Sequence, residues 1–180
     1  MISDVKSSVL SCLLLAALTL ALYGQTKPKD VDGWDKIKWG MTITEARTAY
    51  DAVAEPRRND AWTLLELKPT KMGDVEMGVQ VGARQGTERI SEVTLWSYFG
   101  LPSSASLAGP RDFDTLRMML IQKYGQPASE EEKRGENSHL IKTVLWTFPS
   151  TSILLKLEQS ASLPNLGTIY LDYTANAPQS

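Results

Sequence analysis

His139 is the only histidine in this chain, and both a Ser-His-Asp triad and a histidine-rich zinc site need a placed imidazole. It stands in the polar stretch Gly135-Glu136-Asn137-Ser138-His139 ahead of a strand-like segment, the setting of a solvated side chain and not of a base or ligand. The densest acidic run, Glu130-Glu131-Glu132, could supply paired carboxylates of the glycosidase kind. Lys133-Arg134 follow it at once, however, and such a mixed run reads as a solvated face. Asp30, Asp32 and Asp35 could contact a cation, but the twelve-residue calcium-loop pattern is missing. Neither a G-x-x-x-x-G-K-[ST] nor a G-x-G-x-x-G pattern occurs, so nucleotide phosphates have no obvious cradle. These residues assign no catalytic group, no cofactor and no metal site.

The placement of the large aromatics says more. Within 90–99, Val93, Leu95, Ser97 and Phe99 share one side of a strand, which alternation assigns to the helix-facing core. Thr94, Trp96 and Tyr98 then point the other way. Within 168–174, Ile169, Leu171 and Tyr173 go inward, leaving Tyr170, Asp172 and Thr174 outward. Trp62, Leu64 and Glu66 extend this outer face, with Glu76, Gln80, Lys156 and Glu158 around them. Amphipathic aromatics amid charges suit protein recognition, although aromatics on a sheet also cover edges and meet across strands. The expected partner-binding residues are Trp62, Trp96, Tyr98 and Tyr170.

The elements that must position them follow from period and punctuation. Thr42-Ile43-Thr44-Glu45 is a capping box, and Ile43, Ala46, Ala49/Tyr50 and Val53 continue at helical spacing until Pro56 and the polar run 57–60. Strand-like segments at 61–67, 75–81 and 90–99 come next. The second alternates Val75, Met77, Val79 and Val81 against Glu76, Gly78 and Gln80, and Pro69, Gly73 and Gly86 fall in turns. A connector at 100–111 holds two Pro, two Gly and three Ser. Asp112 is then placed to cap a second helix, with Phe113, Leu116, Met119/Leu120 and Tyr124 inward and Gly125 and Pro127 ending it. A charged loop at 128–137 leads to strands at 142–148, 152–158 and 168–174.

The expected fold class is therefore α+β: two αβββ units with both helices on one face of an antiparallel sheet. A shift of 76 residues aligns 93–97 with 169–173. One such unit alone would bury too little surface, which favours a shared core.

Residues 9–22 form an uncharged apolar run, preceded by one Lys and followed by Tyr23-Gly24-Gln25. About 14 residues is short of the roughly 20 that span a bilayer, but fits a secretory signal cleaved after Gly24. An uncleaved anchor is the alternative. Cys12, the only cysteine, lies inside that run in a poor lipobox, Val9-Leu10-Ser11-Cys12. Without it the mature chain has no disulfide, thiolate metal site or cysteine nucleophile. Asp4 and Lys6 leave together, so the net charge stays at −2, which argues against nucleic acid and gives no reason to expect anionic lipid. The segments read as a signal (1–24), a mobile leader (25–33), a first unit (34–99), the connector (100–111), a second unit (112–175) and a tail (176–180).

Ile37-Lys38-Trp39-Gly40-Met41-Thr42-Ile43-Thr44-Glu45, with Glu55-Pro56 beyond the helix, resembles the G-M-T-x-x-E opening of small exported α/β domains. The outer-membrane assembly lipoproteins of the SmpA/OmlA type are one example, and the tandem-repeat β-lactamase inhibitor proteins are an architectural relative. Gly125-Gln126-Pro127 is similar to the G-x-P that closes the helical part there. The match covers some 20 residues per half. This chain departs from the first group in having only a poor lipobox and in having two units, and from the second in having no disulfides. The resemblance implies at most a protein-binding role, and no site residue is carried over. The function expected is that of an exported, non-enzymatic module, periplasmic or secreted, binding another envelope or secreted protein through its open sheet face, with no membrane span after cleavage. A small-ligand carrier, or a hydrolase using acidic residues in a pocket between helices and sheet, is the alternative.

Overall fold

The computed structural model describes residues 29–97, 108–134, 139–159 and 166–176. The signal and Cys12, Tyr98 and Phe99, most of the connector and the last four tail residues lie outside them. A two-stranded pair, β1 (Gly33–Trp34) and β2 (Ile37–Lys38), precedes helix α1 (Ile43–Ala49). Then come β3 (Arg57–Arg58), β4 (Trp62–Met72), β5 (Val75–Arg84) and β6 (Ile90–Ser97). Helix α2 (Pro110–Tyr124) leads to β7 (Ser129–Arg134), β8 (Leu140–Thr147), β9 (Thr151–Gln159) and β10 (Gly167–Ala175).

Strands β3 to β10 form one antiparallel sheet in the order β3-β4-β5-β6-β10-β9-β8-β7. This corrects the α+β expectation of two αβββ units. The described chain is mostly β, 54% strand against 17% helix, with two helices beside an eight-stranded sheet. The strands missed are the outermost ones. β3 falls in the polar run expected to end a helix and β7 in the expected charged loop, and all residues of both are exposed. An edge strand is wet on both faces and has one neighbour, so it needs no apolar alternation and is often charged to block further pairing. β4 and β5 also run well past their alternating parts. Pro69 lies inside β4, not in a turn, at a break in register between Leu67 and Thr70 opposite Gly78. Proline has no N–H for the ladder, and a bulge tolerates that.

The inner face and the core agree with the alternation. Val93, Leu95, Ile169, Leu171 and Tyr173 are buried, as are Leu65, Leu67, Met77, Val79 and Val81. Helix α1 has the capping box: Thr42 Oγ1 accepts the Glu45 N–H at 3.2 Å, and the Thr42 N–H donates to Glu45 Oε2 at 2.7 Å. It stops a turn early, at Tyr50, and Asp51 turns back with φ of +47°. Val53, assigned to its inner face, is instead 84% exposed. In α2 the N-cap is Gly109, and Asp112 sits at the third position, where its carboxylate accepts the Gly109 N–H at 2.8 Å. Asp112 is thus not the N-cap but the reciprocal half of a box, because Pro110 takes the first helical position. Phe113, Leu116, Leu120 and Tyr124 are buried in the core cluster, and Gly125, with φ of +84°, ends the helix.

The last residues assigned to the leader are tied to the far half of the sheet. Asp30 accepts from the N–H and hydroxyl of Ser150 at 3.1 and 2.6 Å, the Thr151 hydroxyl bonds the Val31 carbonyl, and the Trp39 indole donates to Thr151 at 2.7 Å. Ser150 and Thr151 lie at the β8–β9 turn, so the chain's first described residues lock onto its second half. Among the described residues no helix is long and apolar enough to cross a membrane.

Candidate functional site

Beta periodicity puts every second residue of the central strands on the face away from the core. On that face β6 and β10 set Trp96 directly opposite Tyr170, and Thr94 opposite Asp172. The buried residues of both helices belong to the core cluster on the other side. Trp96, Tyr170 and Trp62 are each half-buried, so they contribute apolar area while still reaching solvent.

Two strand glycines make seats for the indoles. A Cβ at Gly78 would lie 2.7 Å from the Trp96 ring, and one at Gly82 would lie 3.2 Å from the Trp62 ring. Each indole therefore closes over a glycine of β5, where a side chain would stand in its way. Lys156 places its ammonium 4.7 Å from the Tyr170 ring centroid and 2.9 Å from Glu158. Arg84 lies 5.5 Å from the Trp62 ring centroid.

The four residues assigned to the face do not form one cluster. Trp96 and Tyr170 are side by side. The Trp62 ring sits over Gly82, four residues along β5 from Gly78, or about 13 Å at 3.3–3.4 Å per residue. Tyr98 is outside the described residues. Between the two aromatic patches runs a polar row, Gln80, Thr94 and Asp172. Burial raises the carboxyl pKa of Asp172 above the usual range, and the hydrogen bond from Thr94 and the charge of Lys156 only partly oppose it. The residues missed are Gly78, Gly82 and Arg84. The glycines could have been noticed as two side-chain-free positions spaced by four on the same face of a strand, a sign of close approach by a large neighbour.

The other groups with chemical potential are spoken for or exposed. Asp30 is held by Ser150, Asp32 by Lys38 at 2.7 Å, and Asp35 by the hydroxyl of Tyr50 at 2.8 Å. Partners on the charged form hold the Asp30 and Asp32 carboxyls below their ordinary values. Glu130 takes two hydrogen bonds from Arg117, at 2.9 and 2.5 Å. Glu131 and Glu132 pair with Lys133 and Lys142, and His139 is exposed just before β8. On the helix side, the buried polar residues among those described are Thr63, Ser97, Thr151 and Gln159, with no carboxylate among them. Comparison with protein-family models, curated proteins and solved structures finds no match for the chain.

Proposed function

We propose that the chain is an exported, non-enzymatic module that binds another envelope or secreted protein through the open face of its sheet. One observation carries the reading: Trp96 and Tyr170 meet across the two central strands on the face opposite the core, the indole seated on Gly78. Rigid aromatics with few rotatable bonds lose little entropy when a partner covers them, which is why they serve as anchors in interfaces. The apolar run 9–22 supports export.

Capture of partners from an envelope extract tests it, comparing the wild-type chain with Trp96→Ala and Tyr170→Ala. Partners retained by the wild type are lost or reduced at least tenfold in both variants, while circular dichroism is unchanged. Identical partner sets for all three would defeat the proposal. N-terminal sequencing of the exported chain should begin at Gln25; an intact Met1 would count against cleavage.

A further inference from the structure

Between the two aromatic patches the open face has a small cleft of about 210 Å³, lined by Trp62, Leu64, Gln80, Gly82, Glu92 and Thr94. Gly82 has no side chain, so the Trp62 ring and Leu64 close over it, within 3.2 and 3.5 Å of where its Cβ would lie, and Glu92 flanks the same position from β6. The volume is below the 300–1,000 Å³ usual for small-molecule sites, and suits one long side chain. Its walls differ in character. Trp62 and Leu64 form an apolar side, while Glu92 and Thr94 form a polar side.

The charges around it are lopsided. The Thr94 hydroxyl donates to Glu92 at 3.2 Å and also bonds Asp172, yet it has one proton to give. Nearby cations are engaged elsewhere. Lys156 on β9 pairs with Glu158, Arg84 on β5 stacks on Trp62, and Arg57 on β3 pairs with Glu66. Among the described residues Glu92 has no cation within ion-pair distance, while Asp172 feels the charge of Lys156 from beyond that distance. An apolar wall facing an uncompensated carboxylate complements a side chain with an aliphatic stem and a cationic head, which is the build of Lys and Arg.

We infer that this cleft receives a Lys or Arg side chain of the bound protein, its stem along Trp62 and Leu64 and its charge on Glu92. The inference rests on the open face being a protein-binding surface, and it names the partner's chemistry: a basic residue near an apolar one that covers Trp96 and Tyr170. A basic side chain entering here would meet a carboxylate on a partly desolvated face, where a charge pair counts for more than at an exposed rim.

The test uses twelve-residue peptides selected by phage display on the immobilised mature chain, with affinities measured by fluorescence anisotropy. Selected peptides carry Lys or Arg within a few positions of an aromatic or aliphatic residue. Replacing that basic residue by Ala weakens binding about tenfold. Glu92→Gln, which keeps size and shape, weakens the parent peptide by a similar factor, and combining the two changes costs little more. Gly82→Ala, whose methyl would push on the Trp62 ring and so displace the apolar wall without altering charge, also weakens binding, with thermal melts confirming that both variants fold. Undiminished affinity in Glu92→Gln, or selected peptides without basic residues, would overturn the inference. If Trp96→Ala still abolishes binding in that case, the open-face reading stands and only the basic anchor falls. If Trp96→Ala is silent as well, both are lost.

Discussion

At the scale of single residues, the open face is organised by what β5 omits. Gly78 and Gly82 let two indoles approach the backbone closely, and a methyl group at Gly78 would overlap the Trp96 ring. Gly78→Ala should therefore lift Trp96, shift its fluorescence to the red and cost about 1–3 kcal/mol, as overpacking does; an unchanged spectrum and urea midpoint would show that the ring is not seated there. Asp172 makes the opposite contribution. Burial raises its carboxyl pKa in the folded state, so the folded form holds its proton more tightly than the unfolded form. Its effect on stability is accordingly unfavourable above the folded pKa and is relieved as pH falls towards the unfolded value. Asp172→Asn should raise the neutral-pH Tm of the free protein by about 1–3 °C, what roughly 0.5–1 kcal/mol gives in a chain of this size. The gain should shrink in acid, which differential scanning fluorimetry across pH can follow.

At the scale of elements, the local signals in the sequence were strongest where a side chain acts on its own backbone. The capping box at Thr42 and Glu45 is present as read. Thr42→Ala should cost about 1 kcal/mol, measurable as a lower urea midpoint with an unchanged slope. Hydrogen bonds to the charged form hold the carboxyls of Asp30, Asp32 and Glu45 below their usual values. Their contributions are complete above the unfolded pKa and disappear as pH falls through the folded one, the reverse of Asp172. Elements whose residues need no periodicity were illegible. Ser129-Glu130-Glu131-Glu132-Lys133-Arg134 has the composition of a loop, yet β8 supplies a complete ladder for it, and Arg117 of α2 holds Glu130 from the core side.

At the scale of the whole molecule, the two halves meet strand to strand. A 76-residue shift carries Leu95 onto Leu171, and these two are also Cα partners between β6 and β10. The same register places the aromatic pair Trp96–Tyr170 on one side of Leu95–Leu171 and the polar pair Thr94–Asp172 on the other. The open face is one surface with unlike halves. The N-terminal segment adds a second tie through Ser150 and Thr151. With the sheet and core continuous, Leu171→Ala at the centre should cost about 3–4 kcal/mol and lower the stability of both halves together. A single denaturation transition, coincident in tryptophan fluorescence and far-UV circular dichroism, is expected for wild type and variant; two separated transitions would show that the halves fold independently.

The amino-acid sequence by itself determined which side of each central strand is buried, because a period of two leaves aliphatic residues only one dry side to occupy. It also determined where α1 begins and where α2 ends, because capping and glycine act within a few residues. Only the tertiary structure decided that the sheet has eight strands, that β6 and β10 are neighbours, and that Trp62 stands apart from Trp96 and Tyr170. Those facts depend on register between segments distant in sequence, where backbone hydrogen bonds are blind to side-chain type and only the packing of the whole sheet selects one pairing.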